Sequence, residues 1–193
     1  MTEQHRLQAE LHRQARHDML TGLPNRRHLL ERIETLTATV ADRGRVGLCF
    51  VDLDGFKQIN DRYGHGIGDQ LLAAVATRLH DSLPVGKGMI ARIGGDEFVV
   101  LVAPPADDLR VTAVADRLLS TLATPIVIGE YELRMSASIG AVTTLADTPA
   151  AALLAAADRA LYDAKTRGKD QWVLRVLDTP AKVEHSQALP RFG

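Results

Sequence analysis

The stretch "GMIARIGGDEFVVLVA", residues 88–103, sets two apolar runs on either side of two glycines and two acids. The runs are short and rich in Ile and Val, as strands are, and Gly94, Gly95 and Asp96 are favoured turn residues. A hairpin joining the two runs, with no helix between them, argues for an α+β fold. Its centre would be a mainly antiparallel sheet flanked by helices, not a doubly wound parallel sheet. A tight hairpin accounts for Gly94, Gly95 and Asp96. It leaves Glu97 unexplained, because glutamate is a poor turn former and sits directly before Phe98. On spacing alone, a plain turn and a functional site are equally good readings.

Working outward, "VGLCFVDLD" (46–54) is a near-continuous apolar run that reads as a central strand buried on both faces. A polar loop is expected after it, then a helix carrying Leu71, Leu72, Val75 and Leu79. Upstream, the turn Thr21-Gly22-Leu23-Pro24-Asn25 precedes a helix over 25–42 with Leu29, Leu30, Ile33 and Leu36 at helical spacing. Downstream come a helix over 107–122, strands in "IVI" (126–128) and "ELRMSASIGAVTT" (132–144), and an Ala-rich helix over 149–167. Residues 172–177, "WVLRVL", are a last strand. Residues 1–17 read as a polar N-terminal connecting helix, with Leu7 and Leu11 as a thin apolar stripe. Residues 178–193 read as a flexible tail.

A chain of 193 residues, 46% hydrophobic, suits one core of ordinary domain size. Its net charge of −1 gives no global field to recruit nucleic acid, so any phosphate binding must be local. No apolar run approaches the ~20 residues that cross a bilayer. A cytoplasmic protein is expected, with Cys49 as a buried lone thiol.

The acids carry the chemistry. Asp52 and Asp54 face the same way along a strand while Leu53 faces the other. Carboxylates ending a buried strand are costly unless paired or bound to a cation, although a solvated strand end is the plainer alternative. If the two strands are neighbours, Asp52 and Asp96 converge. Oxygen donors with no His or Cys nearby suit a hard cation, Mg²⁺ or Mn²⁺. Lys57 follows the acid strand. Lys165 and Lys169 lie four apart, on one face if the last helix reaches that far. Each lysine alone is an ordinary surface residue; together, beside acids, they suit a triphosphate. There is no GxxxxGK[ST] loop, so this is not a P-loop protein.

Four segments in order, "DMLTGLPNRR" (18–27), "VDLDGFKQINDRYGHGIGDQLL" (51–72), "ARIGGDEF" (91–98) and "ADRALYDAKTRGKD" (157–170), resemble the GGDEF family of diguanylate cyclases. The resemblance implies a fold similar to the nucleotide cyclase or palm-type catalytic domain, spanning residues 18–177. It implies condensation of two GTP into cyclic di-GMP with Mg²⁺ or Mn²⁺, two ions per site. Asp52, Asp96, Glu97 and the carbonyl of Leu53 would hold the metal, with Glu97 an alternative acceptor for the ribose 3′-hydroxyl proton. Gly94 and Gly95 would lie against the nucleotide, Asn60 and Asp69 would read guanine, and Lys57, Lys165 and Lys169 would hold the triphosphate. His65 belongs to the pattern in a structural role. It further implies a transient homodimer and an upstream sensory or receiver domain.

The chain departs from the family pattern in two places. Lys169 stands where Arg is frequent, which removes bidentate contact but keeps the charge. Val85-Gly86-Lys87-Gly88 replaces the product-binding Arg-x-x-Asp, so feedback inhibition there is not expected. The competing reading is a weakly catalytic GTP-binding module of a larger signalling protein.

Overall fold

In the computed structural model, residues 15–39, 44–83, 86, 88–145 and 148–177 are described. Most of the expected N-terminal helix, and the expected tail from 178, lie outside them; Ala15 and Arg16 are helical. Strand β1, Arg45–Asp54, is the centre of the molecule. Its side chains alternate between two cores, as the period of two requires. Cys49, Val51 and Leu53 enter one core and Val46, Leu48 and Phe50 the other. Burial pushes the Cys49 thiol up to about 12 and keeps it protonated.

Helix α1 (Arg26–Thr39), β1, helix α2 (Phe56–Tyr63) and helix α3 (His65–Ser82) are followed by the hairpin β2 (Gly88–Gly94) and β3 (Glu97–Val102). Helix α4 (Asp108–Ala123) leads to a small hairpin, β4 (Ile126–Ile128) and β5 (Tyr131–Leu133). Strand β6 (Ser136–Leu145), helix α5 (Ala150–Thr166) and strand β7 (Trp172–Leu177) complete the order. The main sheet runs β2-β3-β1-β6-β7, while β4 and β5 pair only with each other. Every ladder of the main sheet is antiparallel except β6 with β7, which the α5 crossover makes parallel. The mainly antiparallel expectation holds.

Helices α3 and α4 cover the face with Cys49 and Val51, through Leu71, Val75, Leu79, Val111 and Leu118. Helices α1 and α5 cover the other, through Leu29, Ile33, Leu153, Ala157 and Leu161. Small residues bring α5 very close: a Cβ on Gly140 of β6 would lie 2.0 Å from the Ala157 carbonyl oxygen. The last turn of α5, with Lys165, is thereby fixed over the end of β1.

Three expectations need correction. The polar segment after β1 is helix α2, because Phe56, Ile59 and Tyr63 recur at helical spacing and pack on the α3–α4 core. The run 132–144 is two strands: Leu133 pairs with Ile126 in the small hairpin, and the main-sheet strand begins at Ser136. The last helix ends at Thr166, so Lys165 and Lys169 do not share a helical face. Lys169 lies beyond the helix with φ 65°, after Gly168 at φ 120°.

Candidate functional site

The site grows from the register of β1 against β3, which sets Asp52 directly opposite Glu97. Opposed residues lie on one face with Cβ atoms about 5 Å apart. That face continues the Leu48–Phe50 side, toward α5. One residue on, the Leu53 N–H donates to the Asp96 carbonyl at 3.3 Å, tying the acid turn to the end of β1. From α5, Lys165 Nζ reaches Asp52 Oδ2 at 2.9 Å, with the Asp52 side chain 13% exposed and Lys165 37%.

These neighbours set the protonation of the acids. Burial pushes the Asp52 carboxyl above the usual carboxylate range and Asp96 and Asp54 add to it, while Lys165 opposes the rise. Burial likewise raises Glu97, reinforced by Asp52, Asp96 and Asp158 and opposed by Lys165. The end of β1 therefore holds more negative charge than its surroundings can balance. Among the described residues, no group of three or more His, Cys, Asp or Glu side chains is disposed to hold a metal ion unaided. The donors present, two or three carboxylates and main-chain carbonyls, suit a hard cation that fills its shell with water and phosphate oxygens. The raised carboxyls are what such a cation would relieve.

The turn itself is Gly95-Asp96, flanked by the pair Gly94 and Glu97, with a shift in register between Arg92 and Gly94. Gly95 has φ 44°, which favours glycine. A Cβ on either glycine would meet nothing within 4 Å, so open space faces this backbone.

The sequence reading missed Arg92. Its Nε and one terminal nitrogen donate to the Gly95 carbonyl at 2.9 and 2.8 Å, and its other terminal nitrogen donates to both oxygens of Asp18, at 2.9 and 2.8 Å. Asp18 in turn accepts from the Thr21 N–H and hydroxyl, and the Arg92 N–H donates to the Pro24 carbonyl. Burial works against the Asp18 carboxylate, but the hydrogen bonds from Thr21 and Arg92 outweigh it and hold that carboxyl below its ordinary value. One guanidinium thus bolts the chain before α1 to the acid turn. The legible signal was Asp-x-x-Thr, a self-capped turn, together with a lone cation two residues before the glycines.

The remaining candidates lie on α2 and α3. Lys57 is exposed on the first turn of α2, and Asp69 is exposed on α3. Asn60 packs against Gly68 so closely that a Cβ there would lie 1.8 Å from its Oδ1. That Oδ1 is buried without a hydrogen-bond partner. Lys169 is exposed on the turn after α5. No helix among the described residues is long and apolar enough to cross a membrane.

Residues 15–171 match the family described as "Diguanylate cyclase, GGDEF domain". The chain is 41% identical over 169 residues to the bifunctional diguanylate cyclase/cyclic di-GMP phosphodiesterase MucR of Pseudomonas aeruginosa, covering 86% of this chain and 24% of that protein. It is 36% identical over 185 residues to the diguanylate cyclase TpbB of the same species, covering 94% and 42%. The solved GGDEF domain of TpbB superposes with a TM-score of 0.77 at 37% identity, covering 82% of this chain and 93% of that one. The chain spans less than half the length of these two curated relatives.

Proposed function

Because this chain belongs to the GGDEF family of diguanylate cyclases, we propose that it condenses two GTP into cyclic di-GMP and two pyrophosphates. The observation that carries the proposal is the meeting of Asp52, the Gly95–Glu97 turn and Lys165 at one end of the sheet. Asp52, Asp96, Glu97 and the Leu53 carbonyl would hold Mg²⁺ or Mn²⁺, two ions per site. When bound, such ions lower the pKa of the ribose 3′-hydroxyl and stabilise the departing pyrophosphate.

The chain's own residues do the rest. Lys165, which pairs with Asp52 at 2.9 Å, is free to turn its ammonium to the triphosphate once that carboxylate is balanced otherwise. Lys57 and Lys169 add charge from α2 and from the turn after α5. Where it does not hold the metal, Glu97, opposite Asp52 across the strand pair, takes the proton of the attacking hydroxyl. Asn60 and Asp69 read the guanine edge, Asp69 accepting from the N1–H and amino pair that adenine does not present. Gly94 and Gly95 leave the open space the nucleotide occupies.

One chain holds one GTP, so the reaction needs a second copy facing it. A transient two-fold homodimer meets that need. Residues 18–177 are the catalytic unit, and 1–17 connect to an upstream sensory or receiver domain.

Purified chain, GTP and Mg²⁺, with products separated by chromatography, test this. Cyclic di-GMP should form at a rate rising more steeply than linearly with protein concentration, and fall at least about 100-fold in Asp96→Ala and Glu97→Ala. GTP bound but unchanged would identify a binding module, and strict proportionality would remove the dimer. Because Val85–Gly88 lacks both Arg and Asp, calorimetric titration with cyclic di-GMP should show no tight binding outside the active site.

A further inference from the structure

The structure divides the acid pair at the end of β1. Asp52 faces Lys165 and Glu97, but Asp54 is fully engaged elsewhere. Its Oδ1 accepts from the Ser138 hydroxyl at 2.9 Å, and its Oδ2 accepts from Ser138 and Ser136 hydroxyls at 3.1 Å each. Oδ2 also accepts the main-chain N–H of Asp170 at 3.2 Å. Both hydroxyls come from β6, where Ser138 opposes Asp52 and Ser136 opposes Asp54. Ser138 is completely buried.

Asp170 belongs to an unusual turn. Helix α5 closes with a pair of bonds, Lys169 N–H to the Ala164 carbonyl and Gly168 N–H to the Lys165 carbonyl, around Gly168 at φ 120°. An ordinary closure would then return to extended backbone. Here Lys169 and Asp170 both stay left-handed, with φ 65° and 47°. Two successive non-glycine residues in that region cost about 1–2 kcal/mol each, so something outside the turn must hold it. Three contacts do: the Asp54 carboxylate on the Asp170 N–H, the Gln171 amide donating to the Lys169 carbonyl at 3.0 Å, and the Ile139 N–H of β6 donating to the Gln171 carbonyl at 2.9 Å.

We propose that Asp54 is a positioning residue for the triphosphate end of the site. By gripping the Asp170 N–H from a seat built by Ser136 and Ser138, it fixes the Gly168–Asp170 turn and so the backbone from which Lys169 extends, just past Lys165. Lys169 carries its charge on a flexible stem from an exposed turn, so only a fixed backbone gives that charge a defined place. The inference rests on the reading of the site as a GTP site.

The test uses the whole chain and a GTP analogue with a methylene bridge between the α and β phosphorus atoms, which cannot release pyrophosphate. Binding of the analogue and of GMP is measured by calorimetry with Mg²⁺. Asp54→Ala should weaken the analogue about tenfold and leave GMP within about twofold; Lys169→Ala should do the same, and the double variant should lose no more than either alone. The Mg²⁺ concentration giving half-maximal binding should not move, and exchange of the Asp170 amide hydrogen should quicken in Asp54→Ala. If that variant does not fold, Ser136→Ala should show the same pattern at about two- to threefold. Additive losses, equal losses for GMP, or a shifted Mg²⁺ requirement would overturn the proposal. Faster Asp170 exchange with intact analogue affinity would overturn the positioning alone, whereas a wild-type chain that binds no analogue would overturn the GTP reading itself.

Discussion

Two hairpins in this molecule have almost the same local chemistry and different neighbours. β2 and β3 turn through Gly95-Asp96, and β4 and β5 turn through Gly129-Glu130. Each is a two-residue loop of glycine and an acid, with the glycine at positive φ, 44° and 60°. The first lies in the five-stranded sheet next to β1; the second stands as a separate two-stranded sheet. The first is bolted by Arg92 to Asp18, with side chains 13% and 22% exposed. The second is flanked by the Arg134–Glu132 pair, 76% and 57% exposed. A glycine–acid turn is therefore not a site by its own composition. It becomes a candidate when a neighbouring strand ends in a second acid and a guanidinium holds the turn still.

The largest effect that would break this comparison is on the two arginines. Arg92→Ala removes the donors to a half-buried Asp18 carboxylate and to the exposed Gly95 carbonyl. It should cost about 2 kcal/mol in urea denaturation and lower turnover by about tenfold or more. Arg134→Ala removes a solvated pair and should cost under about 0.5 kcal/mol. Equal costs would mean that the brace carries no more than surface charge.

The two glycines give a smaller and sharper contrast. A Cβ at Gly95 or Gly129 meets nothing within 4 Å, so alanine at either position incurs only backbone strain, about 1 kcal/mol. Their stabilities should fall alike while only Gly95→Ala loses cyclic di-GMP formation. Loss of activity in both would separate the site from the turn.

The smallest effect is the pH dependence of the metal-free chain. Folding raises the proton affinity of Glu97, so its contribution to stability is complete below the ordinary glutamate value and is lost as pH rises through the raised folded value. Denaturation of wild type at a series of pH values should show that loss. Glu97→Gln should lose less and be the more stable protein above that window. A Glu97→Gln profile parallel to wild type would mean that the folded site does not disfavour the Glu97 charge.

Much of this was legible from periodicity. The apolar run 46–54 reads as a central strand, and its period of two set Asp52 and Asp54 on one side and Leu53 on the other, without saying which helices cover either side. Helix α2 was not legible, because Lys57, Gln58, Asn60, Asp61 and Arg62 mask three apolar positions that matter only once α3 and α4 stand over them. The shared face of Lys165 and Lys169 failed for a local reason: Gly168 ends the helix between them. Arg92 was passed over because nothing in its own segment shows that Asp18, 74 residues earlier, is its partner.

By itself, the sequence determined the strands and most of the helices, the glycine–acid turn, and an oxygen-rich donor set suited to a hard cation, since these follow from side-chain period and local backbone preference. Only the tertiary structure decided that Asp52 meets Glu97 and Lys165, that Asp54 is spent on the turn after α5, and that Arg92 fixes Gly95. Those outcomes depend on strand register and on how closely α5 approaches Gly140, and both are set by packing between segments far apart in the chain.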